Sequence, residues 1–276
     1  MSENPIGIFD SGLGGLTVAA AIARLLPHEN LVYLGDTARV PYGTKSGATV
    51  VKYAQSNLKF LANHRVKATV VACNTVSAQG IKSFGGDGEQ ILIGVIHPGA
   101  ERALSVSRTK RIAVLATPAT VTSNAYPNAI QERDHNAYVV SIACPLLVPL
   151  AEEGWSDHEA TELIVSTYLS ELEGHNVDTI ILGCTHYPLL EACITRVAKK
   201  RLGEHIQVIN SADVVAQHVK AVLIQHQLIN EEKGGHRAFF ATDVSGRSQD
   251  VANLFWQRFE STVPVFQHVD ITPTRS

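Results

Sequence analysis

Two of the four cysteines stand where a thiol could do chemistry. The stretches Thr69-Val70-Val71-Ala72-Cys73-Asn74-Thr75-Val76 and Thr179-Ile180-Ile181-Leu182-Gly183-Cys184-Thr185-His186-Tyr187-Pro188 share one design. An apolar, β-branched run ends in a small residue, then a cysteine, then hydrogen-bonding side chains. Each cysteine therefore closes a strand and leads towards a helix, whose N-terminal dipole is expected to favour thiolate over thiol and to leave the sulfur acidic and reachable. Cys144 and Cys193 lack the full pattern and read as small buried filler.

Two matched thiols narrow the chemistry. A lone nucleophilic cysteine needs a partner base, and His186, two residues beyond Cys184, is an awkward in-strand neighbour for that role. Zinc needs three or four ligands at short spacings, and neither region offers a second close sulfur. A redox disulfide stays open, although the CxxC spacing of such pairs is missing. Proton transfer fits the pairing: one thiolate takes a proton from a carbon acid, and a thiol on the opposite face returns one, inverting the stereocentre. Side chains and helix-start N–H groups around Ser11, Asn74, Thr75 and Thr185 are placed to stabilise the carbanion through the substrate's carboxylates. Neither motif contains a lysine, so a pyridoxal phosphate Schiff base would have to recruit a loop residue such as Lys45, which the pattern disfavours.

The elements that must position these residues alternate. Ile6–Phe9 reads as a short buried strand ending at Asp10-Ser11, followed by the turn Gly12-Leu13-Gly14-Gly15 and a helix from about residue 16 to 26. A dinucleotide fingerprint would need Gly or Ala where Thr17 stands, and Asp10 would repel a pyrophosphate, so Asp36 at the end of the next strand is a weak ribose partner. Strands over 31–35, 68–72 and 91–95 follow, with a helix over 46–63; the Pro41-Tyr42-Gly43 turn lies between, and by itself reads as a rigid turn with a packed ring. Strand starts at 6, 31 and 69 recur at 111, 138 and 179, offsets of 105, 107 and 110. Near-constant offsets indicate duplicated βαβ units with parallel sheets, whose ligands bind beyond the carboxyl ends of the strands. A strand over 206–209, a helix over 212–227, strands over 238–241 and 263–268 and a helix over 249–259 complete the chain. The last of these have no counterpart in the first half and either extend the second unit or cross back to the first.

Composition sets the remaining bounds. A chain of 276 residues that is 45% hydrophobic and 18% charged has ample core material and needs no disulfide staples. A net charge of -3 gives no electrostatic footprint for nucleic acid as a main partner. No run of about 18 apolar residues and no signal segment is present, and the cysteines lack a secreted framework, so a soluble cytoplasmic protein with reduced thiols is expected.

Taken together, Phe9-Asp10-Ser11-Gly12-Leu13-Gly14-Gly15-Leu16, Pro41-Tyr42-Gly43, Ala72-Cys73-Asn74-Thr75, Cys144-Pro145 and Gly183-Cys184-Thr185-His186-Tyr187-Pro188 resemble the bacterial glutamate racemases, in that family's order and across most of the chain. The resemblance implies an α/β protein of two pseudo-symmetric flavodoxin-like domains, 1–96 plus 211–276 and 97–210, with the active site in the cleft between them. It implies cofactor-independent interconversion of L- and D-glutamate, supplying D-glutamate for peptidoglycan. Carried onto matching positions, it makes Cys73 the base for D-glutamate and Cys184 the base for L-glutamate, with Asp10 assisting Cys73 and His186 assisting Cys184. Ser11, Tyr42, Gly43, Asn74, Thr75 and Thr185 would bind substrate together with Asp10 and His186. Glu152 would tune His186. Thr117 and Thr120 match in part, but Ala116 replaces an expected glycine and they are held back. No metal is implied. A homodimer stays open, and strand one beginning at Ile6 speaks against the N-terminal extension that some members use for control by a cell-wall precursor. Two other readings remain: a racemase for aspartate or another acidic amino acid, and a two-domain amino-acid binding protein without chemistry.

Overall fold

The computed structural model describes residues 2–84, 90–232, 235–257 and 263–271. Four strands, Ile6–Asp10 (β1), Leu31–Gly35 (β2), Ala68–Val71 (β3) and Leu92–Gly94 (β4), alternate with the helices Leu16–Leu25 (α1), Gly47–Asn63 (α2) and Asn74–Ser77 (α3). Helix Ile96–Val106 (α4) leads into a second set of strands, Arg111–Ala116 (β5), Tyr138–Ala143 (β6), Thr179–Gly183 (β7) and Gln207–Ile209 (β8). Pro118–Thr122 (α5), Ala125–Gln131 (α6), Leu147–Glu152 (α7), Glu159–Ser170 (α8) and Glu191–Leu202 (α9) connect them, and Ser211–Gln225 (α10), Arg237–Ala241 (β9), Gly246–Gln257 (α11) and Phe266–His268 (β10) follow.

Every strand pair is parallel, in two sheets ordered β10-β9-β2-β1-β3-β4 and β6-β5-β7-β8. Without β9 and β10 the two orders are the same: a central strand flanked by the second and third of its set, with the fourth outside the third. The duplication inferred from the spacing is thus present in three dimensions. β1, β2, β3 and β7 are buried along their whole length, as parallel strands covered by helices on both faces must be. β9 and β10 return to the first sheet at the β2 edge. Phe239 of β9 and Phe266 of β10 pack on Tyr33 of β2, the latter pair at 6.3 Å, and Trp256 of α11 packs edge to face on Phe239 at 5.0 Å.

Element ends differ from expectation by small amounts. The strand expected over 91–95 spans 92–94, and the last strand begins at Phe266, not Val263; the helix expected over 249–259 runs over 246–257, its last two expected positions lying outside the described residues. One apolar cluster runs from Ile6, Ile8 and Val70 through α1 and α10 to Leu115, Ile180 and Leu182, so the two sheets share a core. The alanines of α1 allow this, because Ala19, Ala20, Ala21 and Ala23 are all buried and let α10 approach closely.

Asp36 has a structural duty. Fully buried at the end of β2, it accepts hydrogen bonds from Arg39 Nε at 2.7 Å, Thr242 Oγ1 at 2.9 Å and the Tyr42 hydroxyl. This ties the loop after β9 to the turn that carries Tyr42 and Gly43. Asp36→Ala leaves the buried Tyr42 hydroxyl and the partly buried Arg39 and Thr242 donors without their acceptor and is expected to lower unfolding free energy by about 2–4 kcal/mol. Urea denaturation reads this directly, and a loss under about 1 kcal/mol contradicts the assignment.

Candidate active site

The strand ends converge, and with them the residues singled out above. Ser11 follows β1, Cys73 to Thr75 follow β3, Thr117 follows β5 and Cys184 to His186 follow β7; all line one cavity of about 390 Å³. Residues 40–44 of the Tyr42 turn and Pro145, Val148, Pro149 and Glu152 around α7 complete its wall. Asp10 lies behind this lining, with no exposed surface. Lys45 is exposed and is not among the lining residues.

Cys73 caps α3 and is 5% exposed, with its Sγ 3.5 Å from Ser11 Oγ. Burial pushes its thiol up to about 12, with the carboxyl of Asp10 adding to the effect and the Ser11 hydroxyl opposing it. The expectation of an acidic thiol at a helix start is therefore overturned for Cys73. α3 has only four residues, so few peptide dipoles align towards the sulfur, and desolvation outweighs them. Asp10 is itself raised by burial, against the opposing influence of His186 and of the Gly12, Gly15 and Ser11 N–H groups. The Gly12 N–H donates to Asp10 Oδ2 at 3.0 Å.

Cys184 differs. After β7 the chain passes through a 3₁₀ turn over Tyr187–Leu190 before α9 begins, so no α-helix starts at this sulfur. His186 adopts helical backbone angles (φ -80, ψ -32), which breaks the strand direction and brings Nδ1 to 3.9 Å from Cys184 Sγ. Its Nε2 meets Glu152 Oε1 at 3.0 Å, and the edge of Phe255 packs against the ring at 5.0 Å between centroids. Burial pulls the imidazole down, but the hydrogen bonds to Cys184 and Glu152 and their charges outweigh it, and the group is pushed up to about 10. The bond to His186 in turn holds Glu152 below its usual range. The in-strand awkwardness of His186 disappears because the residue has left the strand.

The glycine-rich turn admits protein, not pyrophosphate. A Cβ on Gly14 would sit 2.5 Å from both Thr185 Oγ1 and His186 Nδ1, and one on Gly15 would sit 2.5 Å from Asp10 Cβ. Thr17, where a nucleotide motif needs a smaller residue, hydrogen-bonds with its hydroxyl to the carbonyl oxygens of Gly14 at 2.9 Å and Thr185 at 3.1 Å. α1 is thereby fixed to the Cys184 loop.

Tyr42 lines the cavity, but its hydroxyl is committed to Asp36 and its ring packs on Tyr53 at 5.3 Å. Thr117, held back on sequence grounds, lines the same cavity and links Thr75 and Thr120 by hydroxyl contacts of 3.0 Å each. Its signal was positional: a hydroxyl residue directly beyond β5, the counterpart of β1 with Ser11 directly beyond it. Cys144 and Cys193 are free and fully buried, as filler should be. Among the described residues no group of three or more His, Cys, Asp or Glu side chains gathers to hold a metal, and no helix is long and apolar enough to cross a membrane.

Comparison with known proteins places this geometry. Residues 15–219 match the family described as Asp/Glu/hydantoin racemase. A glutamate racemase of Chlorobium phaeobacteroides is 46% identical over 270 residues, covering 98% of this chain and 97% of that protein. A glutamate racemase isoform of Bacillus anthracis superposes with a TM-score of 0.90 at 36% identity over 98% of both chains. The glutamate racemase of Francisella tularensis, solved in complex with D-glutamate, superposes with a TM-score of 0.88 at 34% identity over 98% of this chain and 99% of its own.

The charge on His186 depends on its two partners, which gives a sign. Its folded pKa lies above the ordinary 6.5, so the stabilisation it supplies is complete below about pH 6.5 and is lost as pH rises through about 10. An NMR titration of the imidazole is expected to show a midpoint near 10 that falls in Glu152→Gln. An unchanged midpoint means Glu152 does not hold the charge.

Proposed function

We propose that this chain, which belongs to the glutamate racemases of the Asp/Glu/hydantoin racemase family, interconverts L- and D-glutamate by passing protons between Cys73 and Cys184. The observation that supports this most directly is that the two cysteines end matched strands, β3 and β7, of two like-ordered sheets and line one cavity. The D-glutamate bound to the Francisella relative supports the same substrate here.

The surroundings of the two sulfurs assign a starting state. Cys73, pushed up to about 12, holds its proton at neutral pH. Cys184 stands with its Sγ 3.9 Å from Nδ1 of His186, and in this reading it is the sulfur that starts as the base. In this state Cys184 removes the α-proton of L-glutamate, the C–H electron pair remains on carbon as a carbanion, and the Cys73 thiol delivers its proton to the other face. The product is D-glutamate, with the thiolate now on Cys73 and the thiol on Cys184, which is the starting state for the reverse reaction. Ser11 Oγ, 3.5 Å from Cys73 Sγ, stabilises that second thiolate, and Asp10 adjusts its charge from behind. Ser11, Asn74, Thr75, Thr117 and Thr185 supply polar groups for the substrate's ammonium and carboxylates, and the Tyr42-Gly43 turn packs against α5 to close the wall there.

In this reading residues 1–96 with 211–276 form one lobe and 97–210 the other. The enzyme works in the cytoplasm and supplies D-glutamate for peptidoglycan. Sedimentation of the purified chain decides the homodimer.

Purified protein in deuterated water without added cofactor is expected to exchange the α-hydrogen of both glutamate enantiomers and to abolish the optical rotation of either, with aspartate far slower. Absence of both effects sinks the proposal. Cys73→Ser and Cys184→Ser should each lower turnover at least about 100-fold, the scale of a lost proton-transfer group; near-normal rates in both rule out the two-base route. Gly14→Ala, which drives a methyl into Thr185 and His186, is expected to cost about 100-fold in kcat/KM while the protein stays folded. Activity within about threefold of the parent contradicts the tight approach.

A further inference from the structure

Tyr126 belongs to α6, outside every motif considered so far, yet it touches the neighbours of both cysteines. Its ring is 1% exposed. A Cβ on Gly99 would lie 3.3 Å from one ring edge, at Cε1, and a Cβ on Gly183 would lie 3.1 Å from the other, at Cε2. The ring is thus wedged between the first turn of α4 and the end of β7, where two glycines leave room for it. Gly183 immediately precedes Cys184, and the phenol oxygen accepts a hydrogen bond at 2.9 Å from Nδ2 of Asn74, which immediately follows Cys73.

In the orientation seen here the bond to Asn74 uses the amide nitrogen. An asparagine amide has two nearly equivalent settings about its last torsion, which exchange donor for acceptor. With Nδ2 engaged by Tyr126, Oδ1 of Asn74 is buried and without a hydrogen-bond partner among the described residues, although Asn74 lines the cavity. An unsatisfied buried acceptor beside a ligand cavity is costly unless a ligand or a bound water completes it. The substrate ammonium is a donor of the right kind.

We propose that Tyr126 is a positioning residue: its hydroxyl fixes the Asn74 amide with the oxygen free for the substrate ammonium, while its ring sets the backbone just before Cys184. This rests on the reading of the site as a glutamate racemase. Burial holds the phenol above its ordinary range, so the hydroxyl stays neutral throughout the working pH range.

The test is steady-state kinetics of Tyr126→Phe, which keeps the ring and removes only the hydroxyl, together with Asn74→Ala and the double variant. Tyr126→Phe is expected to lower kcat/KM about tenfold for both enantiomers, mainly through KM, as the loss of one buried orienting hydrogen bond does. In the Asn74→Ala background the same change should have no further effect, because Tyr126 acts through Asn74. Values within about twofold of the parent in Tyr126→Phe, or losses that multiply in the double variant, overturn the proposal. Should Tyr126→Phe fold poorly, Gly99→Ala displaces the ring with the hydroxyl retained; a raised KM supports the proposal and an unchanged KM overturns it. If the parent turns over glutamate and the variants behave normally, this inference alone fails. A parent that neither racemises glutamate nor exchanges its α-hydrogen removes the underlying reading as well.

Discussion

The site depends on how closely the turn after β1 approaches the segment after β7. Gly14 leaves no room for even one methyl between itself and the Thr185 and His186 side chains. The turn is pinned from its own side by the Tyr33 hydroxyl, which donates to the Gly12 carbonyl at 2.8 Å, and by the Gly12 N–H on Asp10. From the other side the Thr17 hydroxyl reaches the Thr185 carbonyl. A side chain at position 14 would push the two halves apart where they must meet, and Cys73 and Cys184 would cease to share a cavity. The shared core through α1 and α10 serves the same end, since it holds the sheets at one separation.

Burial then does most of the electrostatic work. Taking Asp10, Cys73 and the buried phenols out of water disfavours their charged forms. His186 resists the same pressure because it is hydrogen-bonded on both ring nitrogens, to Cys184 and to Glu152. Glu152 keeps its carboxylate partly exposed, with Arg247 on its neighbour Glu153, so the acid that supports the imidazolium is not itself fully desolvated. A fully buried carboxylate in that place would carry its own desolvation cost and support the charge less well.

Much of this was legible in the chain. The apolar runs located all strands but the last to within a residue or two, the last beginning three residues late at Phe266, and their offsets exposed the duplication that the common strand order displays. Cys73 and Cys184 stood out because the same local design occurs twice. What the chain could not convey was tertiary. A parallel strand buried on both faces says nothing about its neighbour, so the return of β9 and β10 to the β2 edge follows from the packing of Phe239 and Phe266 on Tyr33, and of Trp256 on Phe239, and not from periodicity. The expected acidity of Cys73 was a local inference from a helix start, and it failed because Asp10 and desolvation come from the rest of the fold. Tyr126 gave no sequence signal, since its partners Gly99, Gly183 and Asn74 are distant in the chain.

The two halves are alike in backbone and unlike in charge, and both properties matter for a racemase. Like strand orders place the sulfurs at corresponding ends, on the wall of one cavity. Two equal thiols near one another would share a single proton in either of two equivalent arrangements, whereas unlike surroundings favour one arrangement over the other. Asp10 near Cys73 and an imidazole beside Cys184 give the two sulfurs unlike surroundings, and burial pushes the Cys73 thiol up to about 12. Under the proposed two-cysteine route, the proton lost from one face is replaced from the other without waiting for solvent. In that reading, unlike residues set on a duplicated scaffold, Asp10 at the end of β1 and His186 after β7, distinguish the two sulfurs.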